Sequence, residues 1–237
     1  MSAAALDRQP VVAVSGLVFE SNIATGAGVR TIASGGGADE LVAALDREFA
    51  HGAAAILSFG IAGGLVAAAV PGTWLVAENV VTRHGRWAVD PAWSAALAAH
   101  LPGALRGDVA GANAIIATPE DKRALGVATG AIAVDTESHL VAAFAASRKV
   151  PFAVFRVIAD PAARALAPAA LRGMRPDGTI NRRAVLGSVV RKPGQIPTLL
   201  RNALDARTAV LALSRGRRLL GPGLGYPDLS QLLLNVA

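Results

Sequence analysis

The chain contains no cysteine, and this absence removes several kinds of chemistry at once. Disulfides, zinc sites built from thiolates and cysteine nucleophiles are all excluded. The N-terminus also lacks a basic segment followed by an apolar one, so we find no export signal and expect a cytoplasmic protein. We predict no metal site.

Charged residues are scarce, at 17%, and aromatic residues make up only 4%. Hydrophobic residues reach 53% of 237 positions, which suffices for one α/β domain with a large core. We therefore predict a single domain over 1–237, with tails at 1–9 and 219–237. The run from Ala53 to Ala77 is free of charge and long enough to cover a bilayer, but glycine and proline interrupt it, so we interpret it as strand, glycine turn and strand.

The charges that are present are unbalanced, with a net charge of +6 and a pI near 10.9. Such an excess favours an anionic partner. Most of it lies between Arg172 and Arg218. Because the few aromatic residues do not alternate with basic ones as in single-strand binders, we expect no nucleic-acid partner and instead a peripheral contact with anionic lipid. Apolar spacing near the C-terminus predicts a last helix that buries Ile196, Leu199, Leu200, Ala203 and Leu204.

The segment TGAIAVDTESHLVAAFAASRKVPFAVFRVIADP contains two short apolar runs that each end in acidic residues. Ala131–Val134 and Phe152–Ile158 are predicted as strands of a parallel sheet, and the helical spacing of His139–Ser147 predicts the crossover between them. Ligands collect at the carboxyl ends of such strands, where Glu137 and Asp160 fall. The alternative is that these acids are a helix cap and a turn residue, and the spacing alone leaves both interpretations open.

Two upstream segments also combine a predicted strand with a candidate ligand-binding residue or turn. Val11–Val14 is predicted as the first strand, and Glu20 follows a few residues beyond it, either at the functional edge or as a solvated loop acid. Ala54–Phe59 is predicted as another strand, followed by a turn over Gly60–Gly64 whose backbone N–H groups would hold an anion or a sugar oxygen.

Four motifs in order resemble the superfamily of nucleoside phosphorylases and methylthioadenosine nucleosidases: VVAVSGLVFESNIA, ILSFGIAGGL, AVDTESHLVA and VPFAVFRVIADPA. The chain is most similar to the branch called hopanoid-associated phosphorylases, from about Val11 to Arg218. The resemblance implies one α/β domain with a central mixed, mostly parallel twisted sheet flanked by helices. It also implies a homo-oligomer, since relatives form dimers or hexamers.

The resemblance also implies roles for the acids. Asp160 would donate to, or hydrogen-bond, the purine N7, Glu137 would bind the ribose hydroxyls, and Glu20 would orient the attacking water. The remaining substrate-binding residues by resemblance are Thr136, Ile115, Ile116, Gly63 and Ile61. Two of these depart from the family, since Thr136 replaces a Met, and Ile61 replaces a Ser that helps to hold phosphate in phosphorolytic relatives.

The expected reaction is cleavage of the N-glycosidic bond of a purine nucleoside by water or phosphate. The branch resemblance implies adenosylhopane as the substrate, with release of adenine in hopanoid biosynthesis at the inner face of the membrane. It implies no cofactor, with phosphate as an optional cosubstrate, and Ile61 favours water. Two alternatives stay open: a general purine nucleoside phosphorylase or methylthioadenosine nucleosidase, and a non-catalytic module that binds nucleoside or lipid.

Overall fold

The computed structural model describes residues 9–34, 38–173, 175, 178–179 and 181–227. The strands are β1 (Val11–Ser15), β2 (Val29–Ala33), β3 (Ala55–Gly64), β4 (Trp74–Val81), β5 (Arg86–Ala88), β6 (Leu105–Gly111), β7 (Ala133–Asp135) and β8 (Phe152–Asp160). The α-helices are α1 (Val18–Ala24), α2 (Ala38–Ala50), α3 (Pro91–His100), α4 (Pro119–Thr129), α5 (Ser138–Arg148), α6 (Pro168–Gly173), α7 (Arg182–Arg191) and α8 (Ile196–Leu220). Short 3-10 helices span Pro193–Gln195 and Pro222–Gly225.

The strands form one mixed sheet in which five members close on themselves. β3, β7, β6, β4 and β8 pair in a ring, while β1 and β2 extend from β3, and β5 extends from β4. Most pairings are parallel, and the antiparallel ones join β3 to β7, β4 to β5, and β4 to β8. The predicted fold class, a mixed and mostly parallel sheet flanked by helices, is confirmed.

The central strands are apolar because helices cover both faces of the sheet. All five residues of β1 are buried, and β8 is buried from Phe152 to Ala159. One apolar cluster includes Leu45 of α2 and Val141 of α5, and the other includes Trp93 of α3 and Leu213 of α8. Only at its last residue, Asp160, does β8 reach partial exposure. The acid therefore lies where the core ends.

The prediction that β7 and β8 are parallel to each other is wrong. β7 runs antiparallel to β3, whereas β8 runs parallel to β3 on its other side. A helix of the length of α5 does not fix the direction of the strand that follows, and here the closure of the ring decides it. β3 nevertheless brings the ends of both strands together, because Gly63 pairs with Val134 of β7 and with Asp160 of β8.

The predicted turn over Gly60–Gly64 is also wrong, because these residues are the second half of β3. β8 pairs with Gly60 to Ala62 and β7 pairs with Gly63 and Gly64, so neighbouring strands supply hydrogen bonds beyond Phe59. The predicted bilayer-length run Ala53–Ala77 is thus two strands, with its turn placed after Gly64. Within the described residues, no helix has both the length and the hydrophobicity needed to cross a membrane.

The face of α8 predicted to be buried faces outward instead. Ile196, Leu200 and Leu204 are 40%, 60% and 63% exposed. The inward face carries Asn202, Ala209, Leu213, Gly216 and Leu220. Gly216 allows the closest approach to the sheet, since a methyl group at this position would lie 2.6 Å from Cζ of Phe155. The helix has apolar residues on both sides, and the small Gly216 selects which side packs on β8.

The part of the predicted C-terminal tail that the structure describes is packed. Leu220 and Leu224 are 2% and 0% exposed. The indole Nε1 of Trp93 donates to the Leu224 carbonyl at 3.0 Å, and Tyr226 contacts the same indole edge-on at 4.8 Å between ring centroids. The predicted tail boundary at 219 is therefore too early. Residues 1–8 and 228–237 of the two predicted tails lie outside the described residues.

Candidate active site

Glu20 lies in the first turn of α1 and is only 1% exposed. Its two carboxyl oxygens each accept one backbone N–H, from Leu17 and from Ile61, both at 2.8 Å. The first bond ties the acid to the start of its own helix, and the second ties it to β3. Burial raises the pKa of Glu20 to about 7, against the attraction of Arg156 and with the repulsion of Glu137.

Glu137 faces the same buried guanidinium as Glu20. Its Oε2 lies 3.3 Å from Nη2 of Arg156, and its Oε1 accepts a short hydrogen bond from the Thr136 hydroxyl. Burial raises the pKa of Glu137, Arg156 opposes this, and Asp135 adds to it. Two carboxyl groups with raised pKa values therefore lie close to one cation, which suits proton transfer or the stabilisation of a positive charge.

Arg156 is fully buried in the middle of β8 and is held from several sides. Its Nη2 donates to the Ser58 hydroxyl at 2.6 Å, and its Nε lies 2.7 Å from Oδ2 of Asp135. This contact is a buried ion pair. Burial alone would lower the pKa of Arg156, but Asp135, Glu137 and Glu20 raise it, so the side chain stays charged.

Two glycines make room for these acids. A methyl group on Gly16 would lie 2.6 Å from Oε1 of Glu137. One on Gly60 would lie 2.7 Å from both Oε1 of Glu20 and Nη1 of Arg156. Both distances are shorter than ordinary contacts, so a side chain at either position would force the neighbouring carboxyl group to move. The glycines after β1 and within β3 thus leave space for the carboxyl groups.

Asp160 is further along the same sheet edge and has its own cation. Lys122 of α4 is fully buried, and its Nζ contacts Oδ2 of Asp160 while donating to the carbonyls of Pro161 and Arg164 at 3.0 and 3.1 Å. Burial raises the pKa of Asp160, the Lys122 ammonium opposes this, and Asp205 adds to it. Because Lys122 occupies Oδ2, Oδ1 is the oxygen left to face a ligand.

The two groups of acids are separated along β3. Glu20 and Arg156 adjoin Gly60, whereas the Asp160 carboxyl oxygens lie 3.3 and 3.4 Å from the position of a methyl group on Gly63. Three residues of extended strand span about 10 Å. The structure therefore brings Glu20 and Glu137 together near Arg156 and places Asp160, at the end of β8, beyond them beside Gly63 of β3.

The loop that follows Asp160 is bound to the inner side of α8. Asn202 accepts the Ala167 N–H at 2.9 Å and donates to the Ala165 carbonyl at 3.3 Å. Arg164 forms a short ion pair with Asp205. Together with Lys122, these contacts hold the backbone next to Asp160, so α8 positions the loop that follows this acid.

A comparison with models of protein families identifies the family of this chain. The phosphorylase superfamily matches residues 3–184, which is more than half of the chain. The chain belongs to the phosphorylase superfamily. This confirms the predicted family and enzyme class, nucleosidase or nucleoside phosphorylase. A comparison with curated proteins gives no match.

Solved structures of the superfamily share the fold. An S-adenosylhomocysteine nucleosidase from Streptococcus pyogenes is 16% identical, with a TM-score of 0.59 over 87% of this chain and 98% of that one. The 5′-methylthioadenosine/S-adenosylhomocysteine nucleosidase of Helicobacter pylori is 16% identical, with a TM-score of 0.60 over 89% and 98%. A futalosine hydrolase mutant from the same organism is 17% identical, with a TM-score of 0.56 over 64% and 89%.

The other residues predicted for a superfamily pocket are placed as follows. Gly63 adjoins Asp160, Thr136 contacts Glu137, and Ile61 uses its backbone N–H to hold Glu20 rather than an anion. Ile115 and Ile116 lie in the loop after β6, which ends at Gly111. Ile115 is 42% exposed, and Ile116 packs against a small apolar cluster that includes Leu65.

Sequence reasoning missed Lys122, Asp135 and Ser58. Lys122 stands in a charged stretch, PEDKR, that is typical of a solvated helix start, although its spacing of three from Leu125 places both on one helix face. Asp135 and Ser58 are short polar residues inside or at the end of strands, and their partner Arg156 is distant in sequence. Among the described residues, no group of three or more histidine, aspartate or glutamate side chains is arranged to hold a metal.

Proposed function

We propose that this enzyme cleaves the N-glycosidic bond of a purine nucleoside and that water is the attacking group. The observation that carries the proposal is the pair Glu20 and Glu137 around Arg156, with Asp160 about 10 Å further along β3. Cleavage of this bond needs a proton for the leaving base, stabilisation of a cationic ribose, and a nucleophile. The two separated groups of acids supply these functions to the two ends of one nucleoside.

The roles follow from the environment of each acid. Glu20, with its pKa raised to about 7, accepts a proton from the attacking water. Glu137 binds ribose hydroxyls and faces the developing positive charge. Asp160 acts on the base through Oδ1, and burial favours the protonated form that this role requires. Exposed Ile115 offers an apolar contact to the base, with Ile116 packed behind the same loop.

Hydrolysis is favoured over phosphorolysis because the buried guanidinium of Arg156 already has partners. Arg156 is already engaged by Asp135, Glu137 and Ser58, so a phosphate placed there would meet carboxylates as well as the guanidinium. Ile61 offers a methyl-bearing side chain where a hydroxyl would help to hold the anion.

For the substrate, we propose a lipid-linked adenosine, adenosylhopane, used in hopanoid biosynthesis at the inner face of the membrane. The branch resemblance supports this choice. The solved neighbours with 5′-methylthioadenosine or S-adenosylhomocysteine in their names favour methylthioadenosine as the competing substrate. Assembly into a homo-oligomer remains a prediction from the resemblance, and light scattering tests it.

One panel of assays tests substrate and cosubstrate together. The protein is incubated with adenosylhopane, methylthioadenosine or inosine, with and without phosphate, and free base is measured. We expect adenine from adenosylhopane at a rate that phosphate does not change. Preference for methylthioadenosine or a requirement for phosphate selects the alternative enzymes, and adenosine binding without turnover selects a non-catalytic module.

The acid assignment is tested by Asp160→Asn, which removes the proton donor and is expected to lower base release roughly 10²–10⁴-fold. Glu40→Gln, an exposed acid in the first turn of α2, is the matched control and is expected to act like the unmodified protein. Unchanged base release in Asp160→Asn would overturn the assignment.

A further inference from the structure

The outward side of α8 is apolar and cationic at once. Ile196, Leu200, Leu204 and Leu211 are 40 to 63% exposed. At 3.6 residues per turn, these four fall within about 80° of one another around the helix axis. Arg207 and Arg218, both exposed, fall in the same sector. We call this surface the outer face of α8.

The charge of this surface has one sign. Exposed Arg201 and Arg215 flank it, and Arg191 and Lys192 precede the helix. The acid of α8, Asp205, lies off this face and is already paired with Arg164, with its side chain only 14% exposed. Exposed leucines and arginines therefore face away from the core together, and the Arg215 guanidinium also lies over the Trp74 ring at 5.4 Å.

We propose that the outer face of α8 docks on a lipid bilayer that contains anionic lipids. An amphipathic helix with apolar residues on one side and basic residues beside them binds at the membrane interface, the leucines entering the acyl boundary and the arginines contacting headgroups. Basic residues near such a surface strengthen binding to anionic lipid. The charge and the exposed leucines are both accounted for by this one partner.

The other partners fit less well. If two copies met through this face about a two-fold axis, arginines would oppose arginines, since a two-fold contact pairs a patch with itself. A nucleic acid would pair with the arginines, but the leucines give no aromatic surface on which bases stack. Of these three partners, only the bilayer would bury the leucines and also pair with the arginines.

Docking there would also place the candidate site near the membrane. The inner side of the same helix holds the loop after Asp160 through Asn202 and Asp205. A helix with its side chains is about 10–12 Å across. The loop next to the acid would thus lie about one helix diameter from the lipid, which is suited to the lipid-linked substrate proposed above.

Vesicle flotation of the full chain tests the proposal without reference to turnover. The vesicles contain phosphatidylcholine alone, or phosphatidylcholine and phosphatidylglycerol in equal parts. We expect binding to the mixed vesicles that weakens as salt is added. Binding should fall roughly tenfold or more in Leu200→Ser/Leu204→Ser and in Arg207→Glu/Arg218→Glu. Because no reaction is measured, failure here leaves the proposed cleavage standing, and failure of cleavage leaves this result standing.

Matched controls distinguish binding through the outer face of α8 from non-specific binding by exposed apolar or basic residues. Val127→Ser on α4, where the valine is 84% exposed, and Arg47→Glu on α2 should keep full binding. All these positions are exposed, so the melting temperature should stay close to that of the parent chain. Equal binding by all variants, or absence of binding to mixed vesicles, would overturn the proposal. The proposal would also be overturned if the parent chain were an oligomer that Leu200→Ser/Leu204→Ser converts to a monomer. It would be overturned as well if the parent chain bound DNA but no vesicles and Arg207→Glu/Arg218→Glu lost the DNA binding.

Discussion

Burial sets the pH range in which Glu20 accepts a proton. With its pKa raised to about 7, the side chain is mostly protonated below that pH and cannot act as a base there. We expect kcat/KM to rise with pH to a maximum, with the midpoint of the rise near 7. Glu20→Gln should lower the maximum roughly 10²–10⁴-fold and remove this midpoint. A Gln variant that kept both the rate and the midpoint would assign the base elsewhere.

Lys122 opposes the protonation of Asp160. Removing the ammonium in Lys122→Met should raise the pKa of Asp160 further, because burial and the charge of Asp205 are then unopposed. We expect the alkaline fall of kcat/KM, where Asp160 loses its proton, to move to higher pH. The variant should also lose about 3 kcal/mol of stability, since a buried ion pair is broken and two carbonyls lose their donor.

The control for this variant is Lys149→Met, at an exposed lysine after α5. It should leave both the pH profile and the stability in place. If Lys122→Met lowered stability but left the alkaline limb unmoved, Lys122 would be structural only.

At this scale, local pattern predicts acids at the ends of strands but not the groups that control them. Glu20 and Glu137 follow strands and Asp160 ends β8, so their positions along the chain could be predicted, while their roles stay predictions. Lys122 and Ser58 meet Asp160 and Arg156 only through tertiary packing. No local period distinguishes a buried lysine with three oxygen partners from a solvated one.

Among the elements, α8 packs its inner side on β8. Gly216 lies at this contact, where a methyl group would be 2.6 Å from Phe155. Gly216→Ala should therefore push the helix from the sheet and cost roughly 1–3 kcal/mol of unfolding free energy, measured by urea denaturation.

Gly187→Ala on α7 is the matched control for this substitution. A methyl group there meets nothing within 4 Å, so helix propensity alone should stabilise by about 0.5–1 kcal/mol. Loss of stability in both variants would show that neither effect comes from the contact with Phe155.

The errors of sequence reasoning among the elements share one cause. Strand and helix types were predictable from apolar spacing, as for β1, β8 and α5. The direction of β7, the extension of β3 through Gly64 and the inward side of α8 all depend on which neighbour the element packs against. In α8, apolar residues occur on both sides, so the period gives a helix without giving its orientation.

For the whole molecule, the buried acids make stability depend on pH. A carboxyl whose pKa is raised on folding binds its proton more tightly in the folded state, so its contribution is present at low pH and is lost as pH rises through the folded value. For Glu20 the window runs from about 4.5 to about 7. The free energy of unfolding should fall across it by roughly 3 kcal/mol at most.

Urea unfolding at the two ends of this window, for the parent chain and for Glu20→Gln, checks the expectation. The Gln variant should lose most of the fall attributed to Glu20, even though it is less stable at both values because its amide faces two backbone donors. An equal fall in both proteins would assign the pH dependence to other groups.

Two of the three tryptophans report on how α8 and its end are seated. The indole of Trp74 donates to the Ala212 carbonyl at 2.9 Å, and that of Trp93 donates to Leu224. Emission from both therefore depends on whether the helix stays on the sheet. If the protein binds vesicles while α8 stays packed on the sheet, the fluorescence maximum should not change as lipid is added. A red shift would show that α8 leaves the sheet to enter the membrane.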